Sequence, residues 1–122
     1  MYNVAHIGVV VKDATKSSEF YTTVLGCQAV SGHQDDRVCL VFLKAGQQTI
    51  ELIQYKQDAA GTRGAGVVDH IAFAVPDMEA ALAHLQRHNV PLLFDQPKMV
   101  GNMKIMFFAG PDGERLEFVQ QL

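Results

Sequence analysis

The chain has 122 residues, 48% of them hydrophobic and 19% charged, with a net charge of −3. That size accommodates one domain with a real core, and the composition is that of a soluble globular protein. That charge argues against a nucleic-acid partner, which would want a clustered basic face, and Lys and Arg are scattered, never two in a row. No apolar run approaches the about 20 residues that span a bilayer, and no basic leader precedes an apolar block, so no membrane partner is expected. Cys27 and Cys39 form no CxxC and read as reduced core thiols, which points to the cytoplasm.

In chain order, residues 4–11 are β-branched and apolar on both faces, the pattern of a strand covered on both sides. Asp13 then offers a helix N-cap, and residues 14–25 carry Phe20, Tyr21, Val24 and Leu25 at helical spacing, closed by Gly26. Strands are predicted at 27–32, 37–44 and 49–55, the last two joined by a turn through Gly46. Polar, glycine-containing residues 57–66 read as a linker between a first module, 1–56, and a second, 67–122. The second module predicts a strand at 68–75, an N-cap at Asp77 and a helix over 78–88 with Met78, Ala81, Leu82 and Leu85 on one face, ended by Asn89 and Pro91. A short strand at 92–94, a loop at 96–102 with the composition of a lid, and strands at 103–109 and 115–121 around the turn Gly110-Pro111-Asp112-Gly113 complete it.

The order strand, helix, three strands is thus read twice, and a period of this length signals duplication. Ala5-His6-Ile7-Gly8 is echoed by Asp69-His70-Ile71-Ala72, 64 positions on. Phe42 to Gly46 is echoed by Met106 to Gly110, and Glu51 by Glu117 at an offset of 66, which makes the second turn two residues longer.

Side chains alternate between the faces of a strand. His6 therefore shares a face with Gly8 and Val10, and His70 with Ala72 and Ala74, so each imidazole lies in a row of small neighbours. Glu51 and Glu117 take equivalent places in the last strand of each module. A lone histidine in a strand is usually a hydrogen-bonded structural residue, and a lone glutamate between Ile and Leu usually faces water. Two of each repeated in register are a different matter. Left unpaired on inward faces they would cost several kcal/mol each, whereas a divalent cation balances two neutral imidazoles and two carboxylates.

On these residues the sequence resembles the vicinal oxygen chelate superfamily, the glyoxalase, bleomycin-resistance and dioxygenase proteins. Glu19-Phe20-Tyr21, Val24-Leu25-Gly26 and Gly110-Pro111-Asp112-Gly113 add to the likeness, which covers essentially the whole chain. The resemblance implies one α+β glyoxalase-like domain, 1–122, with two tandem βαβββ modules forming a curved mixed sheet and helices on its outer face. The order His6, Glu51, His70, Glu117 is similar to the ligand set of glyoxalase I, or lactoylglutathione lyase. Extradiol dioxygenases and fosfomycin-modifying relatives are expected to use two His and one Glu, and methylmalonyl-CoA epimerases to carry Gln in place of Glu51.

The resemblance further implies a lyase or isomerase holding Ni²⁺, Co²⁺ or Zn²⁺. Glu117 would be the first choice of base and Glu51 the second, acting on a small chelating substrate such as a 2-oxo compound or hemithioacetal through a metal-stabilised enediolate. A homodimer is the implied assembly, with the site in one chain or across two. Glyoxalase I is expected to hold glutathione with an Arg soon after the first His and an Asn after the first Glu; residues 8–11 and 52–55 contain neither. Lys98 and Arg63 are candidates for contact with an anionic substrate tail, though loop charges are more commonly only solvated. An epimerase of the methylmalonyl-CoA type and a non-catalytic small-molecule binder of the bleomycin-resistance type stay open beside the glyoxalase reading. His33, His84 and His88 are expected to be exposed, and Met99, Met103 and Met106 to fill gaps in the core.

Overall fold

The computed structural model describes residues 4–57 and 66–122, whose strands fall into two four-stranded sheets. Each sheet belongs to one of two compact units, Met1–Arg63 and Gly64–Leu122. Unit one runs β1 (Ile7–Val10), α1 (Ala14–Thr23), β2 (Gln28–Gln34), β3 (Val38–Ala45) and β4 (Gln48–Tyr55). Unit two runs β5 (Ile71–Ala74), α2 (Met78–Arg87), β6 (Lys98–Val100), β7 (Met103–Ala109) and β8 (Arg115–Gln121). The strand orders are β1-β4-β3-β2 and β5-β8-β7-β6. In each unit the first strand pairs in parallel with the last, and every other pairing is antiparallel. The fold is the predicted α+β pair of tandem βαβββ modules, each with its own mixed sheet.

Both helices start where the sequence supplies a cap. Asp13 is extended and accepts a hydrogen bond from the Lys16 N–H at 3.1 Å; Asp77 does the same for Glu79 at 3.1 Å. In α1 the spacing of Ala14, Ser17 and Tyr21 makes one buried stripe. Beneath it lie Leu43, Ile50 and Leu52 of β3 and β4. In α2 Met78 and Leu85 are buried, and the core of unit two is completed by Met106, Phe108, Leu116 and Phe118. Burying each such side chain contributes about 1.5–3 kcal/mol. Gly26, at φ 72°, ends the first helical segment, and Asn89, at φ 55°, takes the same left-handed place after the second.

A further repeated residue ties each helix to its sheet. The Gln54 side-chain oxygen accepts from the Ala14 N–H at 2.9 Å, and the Gln120 oxygen from the Met78 N–H at 2.7 Å. Each satisfies an N–H that the first helical turn leaves without an intrahelical partner.

Several predicted boundaries move. Residues 4–6 and 68–70 lie outside the paired strands, because the parallel ladders begin at Ile7 opposite Ile50 and at Ile71 opposite Leu116. Residues 92–94 form no strand but a single bridge, Leu92 to Phe108. The strand lies instead in 96–102, the segment predicted as a loop and lid. There β6 pairs antiparallel with β7 from Lys98 opposite Ile105 to Val100 opposite Met103, around a two-residue turn, Gly101-Asn102. Gly101 has φ 60°, as such a hairpin turn requires.

The offset of the duplication is also revised by the ladders. Phe42 lies opposite Glu51 and Phe107 opposite Glu117, so Phe42 corresponds to Phe107 and not to Met106. The second turn is accordingly one residue longer than the first, not two. Met106 is fully buried and Met103 half-buried, whereas Met99 is exposed on β6. Cys27 and Cys39 are free thiols, the first buried, and burial pushes the Cys27 thiol up. Arg63 and most of the predicted linker lie outside the described residues.

Candidate functional site

In unit one the parallel register sets Gly8 of β1 beside Glu51 of β4, with His6 two residues earlier on the same face. The neighbouring β4 residues Ile50 and Leu52 turn the other way, into the core under α1. His6 Nε2 stands 3.4 Å from Glu51 Oε1, and the imidazole meets the Phe42 ring edge-on at 5.9 Å. A Cβ added at Gly8 would lie 3.6 Å from Glu51 Oε1 and 3.1 Å from Ile53 Cδ1, so glycine keeps the space beside the carboxylate open.

Unit two builds the same arrangement. Ala72 lies beside Glu117, His70 Nε2 is 3.1 Å from Glu117 Oε1, and the His70 ring meets Phe107 edge-on at 4.9 Å. The glutamates are the sheltered members, 15% and 10% exposed, while His6 is 46% and His70 32% exposed. Each unit therefore brings together one predicted His with one predicted Glu. Within neither unit, among the described residues, does a group of three or more metal-binding side chains form.

Donor spacing tests whether such a pair suits a cation. Two donors about 2.1 Å from one ion are roughly 3.0 Å apart as neighbours on an octahedron and roughly 3.4 Å apart on a tetrahedron. The pairs are 3.1 and 3.4 Å apart. The wider one exceeds the about 2.7–2.9 Å of a charge-assisted hydrogen bond. Imidazole nitrogen with carboxylate oxygen is also a donor set that Zn²⁺ and Ni²⁺ accept. The residues fit a divalent cation, one pair per unit.

A sequence profile of the Glyoxalase/Bleomycin resistance protein/Dioxygenase superfamily matches residues 3–118. The chain belongs to that superfamily. The protein YaeR of Escherichia coli (strain K12) is 31% identical over 129 residues, 97% of this chain and 95% of its own. Mouse mitochondrial methylmalonyl-CoA epimerase is 29% identical over 87% of this chain and 64% of its own length. Among solved structures, the trypanothione-dependent glyoxalase I of Leishmania major superposes with a TM-score of 0.82 at 26% identity, covering 98% of this chain and 87% of that one.

Around this superfamily's paired strands, unit two carries a residue that reading by repeats passed over. Asp69 Oδ2 accepts a hydrogen bond from His70 Nδ1 at 2.7 Å, and Asp69 Oδ1 accepts one from Arg115 Nη1 at 3.0 Å. The hydrogen bond from His70, with the Arg115 charge adding to it, holds the Asp69 carboxyl below its usual range. The signal was in the sequence as a difference between the halves: Asp69-His70 in one, Ala5-His6 in the other.

The remaining candidates fall outside the pairs. Lys98 Nζ lies 4.0 Å over the Phe94 ring, which meets Phe107 at 5.7 Å. An open groove of about 610 Å³ is lined there by residues 93–98. His33 bonds Asp35 of the β2–β3 turn at 3.0 Å; the Val38 N–H, then His33 and the Arg37 N–H, take the Asp35 carboxyl down to about 2. His88 is exposed, but His84 is half-buried, its ring 4.7 Å from that of His88. Among the described residues no helix is long and apolar enough to cross a membrane.

Proposed function

We propose that the protein is a divalent-metal-dependent lyase or isomerase of the glyoxalase I type, with His6, Glu51, His70 and Glu117 as its metal ligands. The observation that carries this reading is the His–Glu pair made twice, at 3.4 and 3.1 Å, on small-residue faces. Superfamily membership supports it, since divalent metal is bound within the superfamily. So does the likeness to a glyoxalase I at 26% identity. Ni²⁺, Co²⁺ and Zn²⁺ all suit two nitrogens and two carboxylate oxygens, with positions left for a substrate bearing two adjacent oxygens.

When bound, the cation supplies Lewis-acid stabilisation of the negative charge that gathers on those oxygens as a carbon proton leaves. The chain does the rest. Glu117, the more sheltered carboxylate, takes the proton onto an oxygen as the C–H bond breaks, the proton passes to Glu51 by way of a substrate oxygen, and Glu51 delivers it to the adjacent carbon, so both carboxylates end as they began. Phe42 and Phe107, directly across from the two glutamates, keep water from the carboxylates. Neither the Arg nor the Asn expected of a glutathione site stands in residues 8–11 or 52–55, so a small chelating 2-oxo or hemithioacetal-like compound is the proposed substrate class. Lys98, over the Phe94 ring, is the proposed contact for an anionic tail.

An epimerase acting beside a thioester is the second reading, favoured by the 29% identity to the mouse epimerase. It requires the same proton transfer. Loading the purified chain with Ni²⁺, Co²⁺ or Zn²⁺ and following isomerisation of the methylglyoxal–glutathione hemithioacetal separates the two. The expected result is one cation per chain by elemental analysis, activity abolished by chelator and restored by the metal. No stoichiometric cation would overturn both readings in favour of a binding protein.

A homodimer is the proposed assembly. Mixing His6→Ala/Glu51→Ala chains with His70→Ala/Glu117→Ala chains reads which chain supplies which pair. Recovered cation binding assigns the pairs to different chains, and none assigns them to one. Gly8→Val tests the open space beside Glu51 and is expected to weaken cation binding roughly tenfold, the effect of about 1.4 kcal/mol of crowding. Unchanged affinity by calorimetry would show that the space is not used.

A further inference from the structure

The two His–Glu pairs are not equally supported, and the difference lies in three contacts that unit one lacks. His70 is held at Nδ1 by Asp69 (2.7 Å) and against Phe107 (4.9 Å), with Nε2 left facing Glu117 (3.1 Å). Asp69 is itself fixed by Arg115 Nη1 at 3.0 Å, and the Arg115 guanidinium carbon lies 5.1 Å over the Phe107 ring. Asp69, His70, Phe107 and Arg115 thus form a closed circuit, each touching two of the others. At the corresponding places unit one has Ala5 and Thr49, so His6 touches only Phe42 and Glu51 among these partners.

Asp69 and Glu117 can both only accept, but the contact to Asp69 is the shorter, 2.7 Å against 3.1 Å, so the single hydrogen of a neutral His70 is drawn to Nδ1. Nε2 then turns a lone pair toward the Glu117 carboxylate. Two lone pairs facing each other at 3.1 Å call for positive charge between them, which either a second ring proton or a cation supplies. The circuit therefore does for His70 what a carboxylate behind a ligating histidine does generally: it selects the tautomer and fixes the ring plane.

We infer that Asp69, locked by Arg115 and Phe107, is a positioning residue that presets His70 Nε2 as a metal-facing donor, a support that Ala5 cannot give His6. The inference rests on the metal reading above for its consequence but not for its geometry, and the experiment separates them.

In the metal-free full-length chain, above the pH at which imidazole is protonated, ¹⁵N NMR is expected to show the Nδ1–H tautomer for His70 and the more common Nε2–H tautomer for His6. Asp69→Ala is expected to return His70 to Nε2–H. By calorimetry with Ni²⁺ or Zn²⁺ it should weaken cation affinity by about 10–100-fold, the usual loss when such an outer partner is removed. Asp69→Glu is expected to recover part of that loss, and Arg115→Ala to reproduce a fraction of it. The same His70 tautomer in the native chain and in Asp69→Ala overturns the inference, as does a cation affinity that the substitution leaves unchanged. If the native chain binds no cation, the metal reading fails and the tautomer comparison alone decides the role of Asp69. Asp69 is half exposed, so Asp69→Ala should keep the fold, and an unchanged melting curve excludes trivial unfolding.

Discussion

Glu117→Gln is expected to leave a folded chain that still takes up a divalent cation and turns substrate over roughly 10²–10⁴ times more slowly, the range that a positioned proton acceptor supplies. The substitution is nearly isosteric. It preserves the side-chain oxygen facing His70 and the volume of a residue that is 8% exposed among Leu116 and Phe118. What it removes is the second carboxylate oxygen's ability to accept a proton and one unit of negative charge. The charge loss should weaken the cation, so turnover has to be measured at saturating metal, with content checked in the same sample. Glu51→Gln makes the comparison sharp: it should lower affinity similarly yet cost less in turnover, since Glu51 is assigned the return of the proton. Equal turnover by Glu117→Gln and the native chain, both metal-loaded, would sink the assignment of the base.

The duplication was legible because two signals coincide in both halves: apolar runs bounded by capping Asp and closing Gly or Asn, and polar residues repeated in register. Strand parity then put His6 with Gly8 and His70 with Ala72, and the ladders bring a glutamate to each. What escaped was of another kind. Residues 98–100 are exposed throughout, so an edge strand showed no alternation to read, although Gly101-Asn102 is a hairpin signal. The match of Phe42 with Phe107 is set by cross-strand pairing, which similarity of local composition had assigned one residue away. Asp69 escaped because a search for what repeats discards what differs. It is a single substitution between the halves, and its meaning depends on Arg115, 46 residues further on.

Adjacent residues on opposite faces of β7 provide the second large effect. Phe108 is fully buried, its ring 4.6 Å from that of Phe118, opposite Leu116 and bridged to Leu92. Phe108→Ala removes one of the two phenylalanine rings from the core of unit two and leaves a cavity that the flanking strands cannot close, at a cost of about 3–5 kcal/mol. In a chain of this size the melting temperature should fall by about 10–20 °C. Phe107, one residue earlier, is half-buried on the other face and touches His70, Phe94 and Arg115. Phe107→Ala should cost far less in melting temperature but should release the His70 ring and weaken cation binding. Opposite phenotypes from neighbouring phenylalanines are what the alternation of side chains demands if one face of the sheet is core and the other is the site. Measured together by calorimetry and metal titration, equal losses of stability from the two substitutions would contradict that division.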